Sequence, residues 1–125
     1  MCHQSVSLAA RYLEEHGIAT AVLGCARDIV EHCGVPRFVF SDFPLGNAAG
    51  RPFDEDSQRL TLDLALGLLE SARTPRTTVQ SPLAWSEDPG WKADFCDLSR
   101  IPRSEVAARR SDFEAQKERA REVSR

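Results

Sequence analysis

The chain has 125 residues, 42% of them hydrophobic and 28% charged, with a net charge of −3. That suffices for one small core and argues against wholesale disorder, and the acidic balance argues against a general nucleic-acid binder. No apolar run approaches the length of a membrane span.

The N-terminal residues Met1-Cys2-His3-Gln4 lack a basic start leading into an apolar stretch. A cytoplasmic location, with reduced thiols, is therefore expected. Gln4 to His16 reads as a helix with Val6, Ala9, Ala10 and Leu13 on its inner stripe, stopped by Gly17. Ile18 to Leu23 reads as a strand, Ala26 to Cys33 as two helical turns ended by Gly34, and Arg37 to Ser41 as a second strand. A loop rich in Gly, Pro and Asn runs from Asp42 to Pro52. The longest helix spans about Asp54 to Arg73, with Asp54 as N-cap, acids in its first turn and Pro75 beyond its end. Its face is expected to be Leu62, Leu66 and Leu69, widened by Leu64, Ala65 and Leu68.

Residues 77–101 read as irregular, with Trp85 and Trp91 as lids over the core or anchors for a partner. Charge divides the chain near residue 102: residues 1–102 carry −5 and residues 103–125 carry +2. The second piece reads as a solvated helix or frayed tail. In it Glu105–Arg109 and Glu118–Arg121 are favourable pairs, and Glu114–Glu118 and Glu118–Glu122 are like-charged ones. The expected organisation is an α/β domain over 1–76, an irregular segment over 77–101 packing on it, and a charged helical tail over 102–125.

Strands separated by helices indicate a parallel, doubly wound α/β unit of three layers. Only two strands are legible, and two strands leave both outer edges unpaired. A further strand just before Met1 would repair the pattern and place Cys2 at a strand-to-helix turn. The unit is thus expected to be incomplete, with its first strand missing, and to carry an extended charged C-terminal helix.

Four segments together resemble a known family. They are Cys2-His3-Gln4-Ser5-Val6, Leu13-Glu14-Glu15-His16-Gly17-Ile18-Ala19-Thr20, Ala26 through Phe38, and Asp42-Phe43-Pro44-Leu45-Gly46-Asn47 running on to Gly50-Arg51-Pro52. In this order they resemble the selenoprotein B family, the substrate-reducing subunits of glycine, sarcosine, betaine and D-proline reductases, and above all its uncharacterised bacterial relatives. Residues 76–89, with Trp85-Ser86-Glu87-Asp88-Pro89, look like the C-terminal part of such relatives, while Ala19, Ala48 and Ala49 depart from the pattern.

The resemblance implies reductive cleavage by a selenocysteine or cysteine, two residues, then a cysteine. Cys2 matches the second member, the resolving thiol, and the first would lie three residues upstream of it. A chain begun at the methionine after a selenocysteine codon read as a stop is expected, and an in-frame UGA upstream would mark it. The resemblance implies no flavin, nicotinamide or metal at this site. It suggests a substrate-activating reductase subunit, and the missing N-terminal half or a second copy, as partners.

A thiol at a helix N-terminus meets the positive end of the helix dipole, which favours thiolate; His3 beside it is expected to assist when protonated. Cys25 follows the first strand on the side where open α/β sheets bind ligands, and reads either as lining the same crevice or as a small buried residue. Asp42, Asn47 and Arg51 are the polar groups of the loop, with Arg51 suited to a substrate carboxylate. Arg27 with Asp28 reads as a structural pair, and His16 and His32-Cys33 as helix-end residues. Cys96 has no evident partner. Gly46-Asn47-Ala48-Ala49-Gly50 lacks both the P-loop ending and the dinucleotide fingerprint, and the acids of the next helix would repel an anion. The competing reading is a catalytically dead interaction module that completes or pairs a sheet through an exposed edge.

Overall fold

A computed structural model describes residues 2–95, 99 and 101–123. The elements are α1 (Cys2–Glu15), β1 (Val22–Gly24), α2 (Arg27–Cys33), β2 (Arg37–Phe40), α3 (Glu55–Ser71), β3 (Thr77–Gln80), α4 (Trp91–Phe95) and α5 (Arg103–Val123). They fall into two compact units, Met1–Glu87 and Asp88–Arg125.

The first unit is a three-stranded, all-parallel sheet of order β1-β2-β3. Side chains alternate across it. Val22 and Phe38 face α1 and α2, where Ala10, Val30 and Val35 complete one core cluster. Val39 faces α3 and packs with Ala65 and Leu68, bordered by Leu23 and Val79. The expected three-layer α/β architecture is therefore present, as is a C-terminal helix.

Both crossovers step the same way along the sheet, yet α2 and α3 lie on opposite faces. The two crossovers are therefore of opposite hand, and one is the uncommon left-handed kind. The long 41–54 segment that precedes α3 supplies the chain for that path and carries it over the C-terminal ends of the strands.

Three expectations are corrected. The segment after residue 76 is not wholly irregular: Thr77–Gln80 forms β3, in register with Arg37–Phe40, and α4 follows later. Its sequence, Thr-Thr-Val-Gln, is short and half polar, as befits a partly exposed edge strand, so it lacks a hydrophobic signature. The first strand is also shorter than Ile18–Leu23, and Ile18 is exposed.

The inward faces of α1 and α3 are only partly as expected: Ala10, Ala65 and Leu68 are buried, but other expected residues turn outward and hydroxyl residues take their place. Ser7 and Ala10 are the buried residues of α1, while Val6 is 46% exposed. On α3 the buried residues are Ser57, Thr61, Ala65 and Leu68, while Leu62 and Leu66 are 54% and 50% exposed. Buried Ser7 donates to the His3 carbonyl at 2.6 Å, and buried Thr61 to the Ser57 carbonyl at 2.8 Å. These hydroxyls are satisfied within their own helices, so their burial leaves neither of the two unpaired.

Capping follows the sequence closely. Asp54 accepts from the Ser57 N–H at 3.1 Å at the start of α3. Gly17 and Gly34 adopt left-handed backbone after α1 and α2.

At the opposite end of the sheet from the 41–54 loop, Arg37 pairs with Glu14 at 2.6 Å, and Glu14 also accepts from the Thr20 N–H and hydroxyl. Burial pushes the Glu14 carboxyl up, but the Thr20 donors and the Arg37 charge together outweigh it, so the group is held below the ordinary carboxylate range. A depressed folded-state pKa stabilises the fold above the unfolded-state value, and that contribution is lost as pH falls through the folded value. Urea midpoints measured from pH 7 to pH 3 should therefore show a steeper acid decline in the native protein than in Glu14→Gln.

The second unit contains α4 and α5. Lys117 approaches Glu114 at 3.7 Å on the exposed surface of α5. Cys96 and the side chains of Arg109, Arg121 and Glu122 lie outside the described residues, and with them the pairings expected for those side chains. Among the described residues no helix is long and apolar enough to cross a membrane.

Candidate functional site

Parallel strands end together, and here their C-terminal ends gather the residues singled out in the sequence. The ladder runs one step past the strands: the Ser41 N–H donates to the Gly24 carbonyl at 3.0 Å, and the Ser81 N–H to the Phe40 carbonyl at 2.8 Å. Cys25 leaves β1 at this edge, and the 41–54 loop folds over it. Phe43 is buried and meets Trp85 edge-on, with ring centroids 5.4 Å apart. Trp85 thus lies over the first unit's own loop, the lid reading of the two expected for it.

The loop turns tightly at Pro44–Asn47, where the Asn47 N–H and side-chain amide both donate to the Pro44 carbonyl at 3.2 Å. Gly46 (φ 98°) and Gly50 (φ 114°) take backbone conformations that side chains resist. The Phe43 N–H donates to the Ser41 carbonyl at 2.8 Å, and the Phe43 and Asn47 amides lie close enough to the Cys25 thiol to lower its pKa. Burial pushes the Cys25 thiol up and the nearby Asp42 charge adds to it. The two N–H donors act in the opposite direction without cancelling the rise, so the thiol is held protonated above its ordinary range.

From the other side, the N-terminus of α1 meets the same turn. The Cys25 N–H donates to Nε2 of His3 at 3.3 Å. The ring's Cδ2 stands 3.3 Å from where a Cβ on Gly24 would be, so the imidazole fills the space that glycine leaves. An Nε2 that accepts a hydrogen bond belongs to the neutral ring. In this arrangement Nε2 of His3 serves as an acceptor. Cys2 is exposed, and Cys2, Cys25 and Cys33 are all free thiols.

Two open grooves flank the junction. One, of about 390 Å³, is lined by Cys2, His3, Val6, Leu23, Leu45 and Gly46, together with Ala48. The other, of about 440 Å³, lies beside Leu23, Gly46, Asn47, Gly50, Gln58 and Leu62. They share Leu23 and Gly46, and their lining is mainly apolar.

The structure thus brings Cys2 to His3, and Cys25 to Asp42 and Asn47, with His3 joining the two groups. Arg51 stands apart from both. Its guanidinium holds the Asp54 carboxylate at 2.8 Å and the Ala84 carbonyl at 2.8 Å, tying the start of α3 to the chain beyond β3. Its charge is already spent on Asp54. Among the described residues no three His, Cys, Asp or Glu side chains converge to hold a metal ion.

The 46–50 loop was expected to line the mouth of the crevice near Cys2, and Gly46 and Ala48 do line that groove, while Leu23 and Leu45 were missed because isolated apolar residues in loops and strands carry no chemical signal. Sequence reasoning also missed the two donors to Cys25, which belong to the backbone. The glycines of the 46–50 loop were the available clue to that backbone shape.

A stretch of 58 residues, 46% of this chain, is 34% identical to D-proline reductase subunit gamma from Acetoanaerobium sticklandii. The chain is a distant relative of that reductase. The matched stretch spans 24% of the relative's length, about a quarter. No family profile matches the chain, and no solved structure matches it.

Proposed function

We propose that the first unit is the thiol-bearing part of a reductase that acts on a small amino acid or amine, with Cys2 as its resolving thiol. The observation that carries this reading is the placement of Cys2. It is exposed at the first turn of α1, on the wall of a groove at the C-terminal edge of a parallel sheet, where open α/β folds bind their ligands. The distant relation to D-proline reductase subunit gamma supports it. The Cys25 N–H donates to Nε2 of His3, which ties the Cys25 turn to α1 beside the groove. The electron-donating atom that opens the substrate bond would be a selenol or thiol supplied from outside the described residues.

In the proposed cycle two electrons pass to the substrate and leave that selenol or thiol oxidised. In that oxidised form the selenium or sulfur is bonded to the substrate carbon in place of the displaced amine. The Cys2 thiolate attacks it, the bond to carbon breaks, and the carbon takes a proton and leaves as the reduced product. The resulting selenenyl sulfide or disulfide is restored by a dithiol reductant. Selenocystine is a direct probe of this step. Attack by Cys2 on the diselenide gives a selenenyl sulfide on the protein and releases one selenocysteine. Mass spectrometry of a short incubation should find the adduct on Cys2. Cys2→Ser should lose it and Cys25→Ser should retain it. Equal adducts on Cys2 and Cys33 would overturn the assignment.

A second reading, a non-catalytic module that pairs with another copy, is favoured by one observation. Exposed Val6, Leu45 and Leu62 line grooves beside Leu23 of β1, an edge strand with an open side among the described residues. Its signature is self-association together with uniformly slow thiols.

A further inference from the structure

We infer that His3, in its neutral form, is a positioning residue that latches the first turn of α1 to the Cys25 turn, and that protonation of its ring releases the latch. The inference rests on the reading of this junction as the functional site and adds a means of regulating it.

The bond itself sets the direction. A backbone N–H can only donate, so the Cys25 amide needs an acceptor, and Nε2 of His3 lies 3.3 Å away. The neutral ring with its proton on Nδ1 provides a lone pair there. A protonated ring places a second N–H against the first, and the attraction becomes a repulsion. Gly24 contributes no side chain, and the space beside it is shared by the imidazole with the apolar Phe38 and Val30, which offer no acceptor.

The titratable groups around the junction are Cys2 on α1, Cys25 on the strand-end turn, and Asp42, whose charge reaches Cys25 from the loop. From α2 and β2 the neighbours at Gly24 are the apolar Val30 and Phe38. The latch spans two elements that the chain joins only through the long path from α1 to β1. Its release therefore frees Cys2 and the Val6 wall of the groove from the Cys25 side without breaking the ladder between β1 and β2.

The test follows the Cys25 amide in ¹⁵N-labelled full-length protein from pH 8 to pH 5, by chemical shift and hydrogen exchange corrected for intrinsic rate. In the native protein the amide should lose protection by about tenfold or more across the range in which imidazoles titrate. His3→Gln, which keeps an acceptor at the Nε2 position and does not titrate, should stay protected throughout. His3→Ala should be unprotected at both ends of the range. A pH response in His3→Gln equal to that of the native protein, or full protection in His3→Ala, overturns the inference. Circular dichroism of each variant separates loss of the latch from loss of the fold. The amide readout does not depend on thiol chemistry, so an inert Cys2 would sink the proposed function and leave the latch standing.

Discussion

Phe38→Ala should be the most damaging single substitution in the first unit. Phe38 is 1% exposed and is the largest fully buried side chain among the described residues. It sits at the centre of the cluster that joins α1, α2 and the sheet, with Ala10, Val22, Val30 and Val35 around it and the Phe40 ring 6.2 Å away. Truncating a buried phenylalanine costs about 3–5 kcal/mol, and a domain of this size holds only about 5–15 kcal/mol in total. The expected result is a fall in melting temperature of about 15 °C or more, or loss of a cooperative transition altogether. Phe38→Leu, which fills most of the cavity, should lose much less. A melting temperature within a few degrees of native for Phe38→Ala would show that this cluster does not hold the helices to the sheet.

Gly50→Val is expected to act on the loop and, through it, on the site. Gly50 has φ 114°, and a Cβ there would lie 2.8 Å from both the Cα and the N of Gln58. Those are backbone atoms in the first turns of α3 and cannot swing aside. The loop is also laced to α3 at this point, since the Arg51 N–H donates to Ser57 Oγ at 2.9 Å and the Gln58 side chain to the Arg51 carbonyl at 2.9 Å. The substitution must lift the loop, at a backbone strain of about 1–3 kcal/mol before the collision is counted. Lifting it withdraws the Asn47 N–H and the apolar cover from Cys25. The burial that raises the Cys25 thiol is then relieved, so alkylation of Cys25 at pH 7 should speed up severalfold. Unchanged stability together with unchanged Cys25 reactivity would contradict this account of the loop.

How much of this was legible in the sequence depended on what each segment needed to declare itself. The α2–β2 unit and the start of α3 were read almost to the residue, because Gly34, Asp54 and the run Arg37-Phe38-Val39-Phe40 signal locally. Strand β3 was not legible, since Thr-Thr-Val-Gln earns its structure from pairing with β2 rather than from its own pattern. On α1 and α3 the expected Ala10, Ala65 and Leu68 do turn inward, but Val6, Leu62 and Leu66 do not. Ser7 and Thr61 look like surface residues until their hydroxyls are seen bonded back into their own helices, where they let each helix lie close to the sheet.

The site divides the same way. Cys25, Asp42 and Asn47 converge because strand ends in a parallel sheet are neighbours, a rule that needs only the order of elements. The pairing of Arg51 with Asp54 depends on side-chain positions three residues apart across a helix start, and the spacing alone did not reveal it. The acceptor part of His3 was hidden because it depends on where α1 lies against β1.

The central claim is that Cys2 is the working thiol of this junction, and competitive alkylation tests it most directly. Limiting iodoacetamide at pH 7, followed by peptide mass spectrometry, ranks the cysteines by rate. Cys2 is exposed at the positive end of α1, Cys25 is half-buried beside the loop with its thiol pushed up, and Cys33 ends α2 at the negative end of that helix. The account predicts that Cys2 is modified about tenfold faster than Cys25 or Cys33. Modification of Cys2 at the rate of the other two, or slower, would contradict it.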